Sequence, residues 1–95
     1  MAALTLVLYG RPECHLCDEM KQVVLPVARE LGCTVAEIDI TGDADLEAQF
    51  GTEIPVLFVN GRKAFKYRVV EHELRKRLVA EGRRGMTSAP GGAKG

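Results

Sequence analysis

The sequence predicts a single α/β domain built on a mixed sheet, and three observations predict it. A nearly continuous apolar run, Leu4 to Tyr9, passes through Gly10 and Pro12 into Cys14-His15-Leu16-Cys17 at the head of a helical apolar stripe. A second strand pattern, Thr34 to Ile40, follows that helix and leads into a short amphipathic segment. Asn60-Gly61 then separates two further apolar runs, and this pair marks a hairpin because both turn positions must tolerate positive φ. The order is therefore strand, helix, strand, helix, strand, strand, helix. Its first half is a right-handed parallel crossover and its second half ends in an antiparallel pair, giving four strands flanked by helices.

Each element has its own justification. The run from Leu4 to Tyr9 lacks alternation, as expected of a central strand covered on both faces. After the cysteines, Leu16, Met20, Val23, Val24, Val27 and Leu31 recur at helical spacing, and Gly32 is a natural stop. Pro26 interrupts this stripe without changing its phase, so one kinked helix is expected and not two. Thr41-Gly42-Asp43 supplies turn and cap residues for a short helix that buries Leu46 and Phe50 and stops at Gly51. Val56 to Val59 and Ala64 to Tyr67 are the hairpin strands. Val70, Leu74 and Leu78 define the last helix, with Glu71–Arg75 and Glu73–Arg77 pairs on its wet face, up to Gly82. Residues 1–82 are thus expected to form the domain, and 83–95, rich in Gly, Ala and basic residues without an apolar period, a disordered tail.

Bulk properties narrow the function. The 95 residues suffice for one modest core. Lys and Arg total 13, as do Asp and Glu, so the chain carries no electrostatic footprint for nucleic acid or an anionic membrane. Met1 to Leu8 is apolar but lacks a basic leader and a cleavage site and is too short to span a bilayer, so it reads as a strand. Three cysteines, an odd count without scaffold spacing, point to a reducing compartment, and a cytoplasmic location is expected.

The chemistry lies in Cys14 and Cys17. Cysteines three apart on one helical turn share a face and satisfy disulfide geometry. The first sits among the unpaired N–H groups of a helix start, whose positive end favours thiolate, the form that attacks disulfides. His15, when protonated, and Arg11 add positive charge beside Cys14, whereas Glu13 and Asp18 oppose the thiolate. The plainer reading of His15 is an exposed polar residue. Cys33 reads as a small buried hydrophobe, His72 as a solvated helix residue, and Tyr9 and Phe50 as packing residues.

The element order, Cys14-His15-Leu16-Cys17 after Leu6-Val7-Leu8-Tyr9-Gly10, Ile54-Pro55-Val56-Leu57-Phe58-Val59, and Asn60-Gly61 together resemble the thioredoxin superfamily, and within it small glutaredoxin-like proteins. The resemblance spans Leu4 to about Glu81. It implies a thioredoxin-like fold, a cis Ile54–Pro55 bond set against the reactive cysteines, and an Ile54 backbone free to pair with an extended substrate. Thioredoxins proper carry a buried Asp six residues before the first cysteine; that position here is Leu8. Glutathione-using glutaredoxins carry a Gly-Gly pair before the last helix, where this chain has Phe65-Lys66-Tyr67-Arg68-Val69-Val70. Lys63, Lys66 or Arg68 could offer a charge to glutathione in their place.

The resulting expectation is a dithiol thiol–disulfide oxidoreductase. Cys14 attacks a disulfide, Ile54, Pro55 and His15 hold the mixed disulfide, and Cys17 displaces the reduced product. No cofactor is expected beyond glutathione as a candidate electron donor, and no residue is assigned to a metal. The expected partners are disulfide-bearing proteins or small thiols, with no nucleic acid and no membrane, and the chain is expected to be a monomer. Two other classes share these residues: a metal or iron–sulfur carrier completed by a second chain, and a thioredoxin-fold interaction module with incidental thiols.

Overall fold

The computed structural model describes residues 4–87. Its elements are β1 (Thr5–Gly10), α1 (His15–Leu31), β2 (Thr34–Asp39), α2 (Ala44–Phe50), β3 (Val56–Val59), β4 (Arg62–Lys66) and α3 (Glu71–Thr87). The strands form one sheet in the order β2-β1-β3-β4. β1 is parallel to β2, with Thr5 opposite Thr34, and antiparallel to β3, with Leu6 opposite Val59 and Tyr9 opposite Val56. The expected mixed four-stranded sheet with β1 inside is what forms.

Alternation along the inner strands divides the interior in two. Leu6 and Leu8 of β1 and Leu57 and Val59 of β3 point to one face, where they meet Met20, Val24 and Val27 of α1 and Leu74 and Leu78 of α3. Tyr9, Val56 and Phe58 point to the other, where Ile40 and Phe50 complete a smaller cluster. Tyr9 stacks on Phe50 with ring centroids 4.7 Å apart, and Phe58 meets both rings edge-on. Each fully buried aliphatic side chain contributes roughly 1.5–3 kcal/mol, so the larger face carries most of the stability.

The helices begin and end for local reasons. α1 continues through Pro26 as a single helix and stops at Gly32, whose φ of 74° is cheap only without a Cβ. Asp43 caps α2 by accepting the Leu46 N–H at 3.1 Å. The turn at Asn60-Gly61 has φ of 49° and 84°, the left-handed pair that a two-residue hairpin needs.

Five details differ from the sequence reading. β4 starts at Arg62, directly after the turn, because an edge strand tolerates basic residues on its open side; a register irregularity at Leu57/Phe58 then absorbs one residue. Val70 is 63% exposed: it lies outside α3, where its carbonyl accepts the Leu74 N–H, and Val69 packs on the core in its place. Leu31, the last residue of α1, is also exposed. Glu71 pairs with Arg75 as expected, but Arg77 turns to Glu81 at 3.2 Å, and Arg75 also reaches Glu30 of α1 at 2.7 Å. α3 runs past Gly82 to Thr87, five residues into the stretch expected to be a disordered tail; 88–95 lie outside the described residues.

Candidate functional site

The site forms where β1 hands over to α1. Cys14 is the N-cap of α1, in extended conformation, and its Sγ accepts the backbone N–H of Cys17 at 3.1 Å. The Cys14 carbonyl accepts the N–H of Asp18 at 3.1 Å. A sulfur stands where Ser or Asp usually caps, and it accepts an orphan helix donor.

Cys17 is in a different environment. It is only 4% exposed. Burial, reinforced by the neighbouring Cys14 sulfur, pushes its pKa up to about 11, while the backbone amide of Arg11 pulls the other way. Two cysteines one turn apart therefore differ: Cys14 is the more accessible, and Cys17 is held as a protonated thiol at neutral pH.

Gly10 makes room for this buried sulfur. A Cβ at position 10 would lie 2.8 Å from Cys17 Sγ, closer than atoms can pack, and 3.3 Å from its Cβ, a tight contact. The β1–β3 register ends by pairing Tyr9 with Val56, the chain neighbours of Gly10 and Pro55. Pro55 is fully buried and the Ile54–Pro55 peptide is cis. Its carbonyl accepts the Tyr67 N–H at 2.8 Å, and the Tyr67 hydroxyl donates to the Thr52 carbonyl at 3.2 Å. Tyr67 holds φ of 69° to make these bonds, a left-handed conformation that is costly for an aromatic residue.

The remaining expected residues divide. The Ile54 backbone is not wholly free, because its N–H donates to the Phe50 carbonyl at 3.1 Å; its carbonyl accepts no backbone hydrogen bond among the described residues. The His15 imidazole is 86% exposed and lies 3.0 Å from Glu19, so a carboxylate already engages whatever charge it carries. The Arg11 guanidinium pairs with Glu47 of α2, and it is the Arg11 backbone amide that acts on a thiol, that of Cys17. Cys33 is partly buried against the larger core, and burial raises its pKa. Among the described residues no three His, Cys, Asp or Glu side chains gather as a metal-binding set, and no helix is long and apolar enough to cross a membrane.

Beside Cys17 lies a cleft of about 270 Å³, lined in part by Gly10, Arg11, Lys21, Glu37 and Asp39. Sequence reading missed this cleft, the contact of Gly10 with the sulfur, and Tyr67. A glycine just ahead of the cysteines was a signal for the second; neither of the others had one.

Comparison with known proteins identifies the family and the fold. Residues 5–79 match the model of the Glutaredoxin-like domain (DUF836). An uncharacterized protein of Mycobacterium tuberculosis is 33% identical over 73 residues, covering 72% of this chain and 75% of its own. A glutaredoxin-like protein of Dictyostelium discoideum is 27% identical over 78 residues, covering 76% of this chain and 72% of its own. The solved structure of target protein XcR50 from X. campestris superposes with a TM-score of 0.68 at 36% identity, covering 79% of this chain and 96% of that one. A mutant thioredoxin from Halobacterium salinarum, 21% identical, has a TM-score of 0.62 over 81% of this chain and 73% of its own, which speaks to the fold.

Proposed function

This chain belongs to the glutaredoxin-like domain family, and from that premise we propose that it is a dithiol thiol–disulfide oxidoreductase working through Cys14 and Cys17. The observation that carries the reading is the inequality of the two sulfurs: Cys14 caps a helix and accepts an N–H, whereas Cys17 is buried with its pKa raised. Exchange chemistry needs one thiol that attacks and a second that waits.

Cys14 thiolate attacks a client disulfide, forming a mixed disulfide and releasing one client sulfur as a thiolate. Cys17 then loses its proton and attacks Cys14 Sγ. The Cys14–Cys17 bond forms, the Cys14–client bond breaks, and the electron pair leaves on the second client sulfur. The client is reduced and the couple oxidised; an external thiol, glutathione or the dithiol of a reductase, restores it. Pro55 and the Ile54 carbonyl border the docking region, and a bound segment would supply the donor that the carbonyl lacks. Clients are proteins or small molecules bearing a disulfide, met in a reducing compartment such as the cytoplasm by a monomeric protein.

Trapping tests this. Cys17→Ser should accumulate mixed disulfides through Cys14, resolved on a non-reducing gel and identified by mass spectrometry, and Cys14→Ser should accumulate none. Equal trapping by both variants would remove the division of labour and the reading with it.

A further inference from the structure

The proposed cycle leaves one demand unmet. Cys17 must give up a proton at neutral pH, yet it is almost wholly withdrawn from solvent. The first strand offers no help, since Leu8 faces the same core. What Cys17 does border is the cleft beside it, whose volume of about 270 Å³ has room for several water molecules at about 30 Å³ each.

Two carboxylates line that cleft, both from β2 and both on the face turned to α1, since positions 37 and 39 alternate with Ile38. Asp39 is committed: its Oδ1 accepts the Thr41 N–H at 2.8 Å, and this bonding holds its carboxyl below the usual range. Glu37 is not. Among the described residues its Oε1 takes only Lys21 Nζ at 3.3 Å, and Lys21 lies one helical turn after Cys17, on the same side of α1. Asp18 stands 3.9 Å from the same ammonium, and Arg11, which also lines the cleft, is engaged by Glu47.

We propose that Glu37 accepts the Cys17 proton, relayed across this cleft, when Cys17 resolves the mixed disulfide, and that Lys21 is the residue that positions it. The inference rests on the thiol-exchange reading above. In the step, the proton leaves Cys17 for the Glu37 carboxylate as Cys17 sulfur bonds to Cys14 Sγ; the displaced client thiolate takes up a proton from solvent, and Glu37 returns its own to solvent before the next turnover. A positioned carboxylate of this kind contributes about 10²-fold at the lower end of its usual range.

The test follows two releases of thionitrobenzoate from 5,5′-dithiobis(2-nitrobenzoate) by stopped flow, in the full chain carrying Cys33→Ser. The first release reports attack by Cys14, and the second reports resolution by Cys17. With Glu37→Gln the first phase should be unchanged. The second should slow by about 10²-fold at pH 7 and acquire a tenfold rise per pH unit, as hydroxide replaces the missing acceptor. Glu37→Asp should recover part of the rate and of the flat profile, and Lys21→Met should show a smaller version of the same change. A second phase in Glu37→Gln with the parent rate and pH profile would overturn this inference while leaving the exchange reading intact. A parent protein with a first release and no second would overturn both.

Discussion

Replacing Gly10 with alanine tests whether the strand end and the buried sulfur are built as a unit. The new Cβ would sit 2.8 Å from Cys17 Sγ, whereas non-bonded heavy atoms settle at about 3.5–4.0 Å, so strand or sulfur must give by roughly 0.7–1.2 Å. Overpacking on this scale costs about 1–3 kcal/mol. For a domain of this size that lowers Tm by about 4–8 °C per kcal/mol. The measurement is urea unfolding of four reduced proteins: parent, Gly10→Ala, Cys17→Ala and the double variant. Cys17→Ala removes the atom at 2.8 Å and leaves the Cβ at 3.3 Å, a contact that small shifts relieve. In that background alanine at position 10 should cost close to nothing, because fewer unfolded conformations offset about 0.4–1 kcal/mol. The expected coupling is then about 1–3 kcal/mol. If Gly10→Ala costs the same with and without the sulfur, the glycine serves the backbone alone and the steric argument is wrong.

Further outcomes follow from the same geometry. In the native reduced protein at pH 8, iodoacetamide should modify Cys14 well before Cys17, as peptide mass spectrometry would show; simultaneous labelling would contradict the burial of Cys17. Because the folded pKa of Cys17 is raised to about 11, its contribution to stability is complete below the ordinary thiol pKa and is lost as pH rises toward about 11. Urea midpoints should fall over that window, and less so in Cys17→Ala. On the acid side, the Arg75 guanidinium holds the Glu30 carboxyl below its usual value, so that contribution is present above the unfolded pKa and lost as pH falls through the folded one; Arg75→Ala should flatten part of the acid limb. Leu74→Ala, at a fully buried site, should cost about 2–5 kcal/mol, whereas Val70→Ser should stay within about 0.5 kcal/mol; comparable losses would mean that Val70 belongs to the helix stripe after all.

Sequence and structure agree where the signal is local and repeated. The apolar run of β1, the α1 stripe through Pro26, and Asn60-Gly61 each fix their element, because burial period and turn chemistry act over a few residues. Position was lost where a single residue at an element end had to be assigned. Val70 has the right spacing for the α3 stripe but falls before the first helical turn, and Leu31 sits where α1 gives way to its cap. Arg77 could pair one turn back or one turn forward, and only three-dimensional surroundings choose Glu81. At the candidate site, Cys14 and Cys17 were legible as a pair from their spacing. Their inequality was not, since it arises from the depth of one turn of helix beneath β1. Tyr67 was unreadable because an aromatic residue after a strand pattern extends it, and nothing in the sequence announces a left-handed backbone. The cleft holding Lys21 and Glu37 is assembled by the β1–β2 crossover from residues 16 apart.

The division of the interior by β1 also guards its own alignment. Even-numbered positions of that strand serve the α1 side and odd-numbered ones the aromatic side, so a slip of one residue would exchange the two sets. It would also bring Tyr9 or Arg11 to the spot beside Cys17 where only a hydrogen atom fits. A misaligned strand would thus forfeit both linings and collide with the sulfur at once, which makes this short segment the place where a deletion or insertion of one residue would be least forgiven.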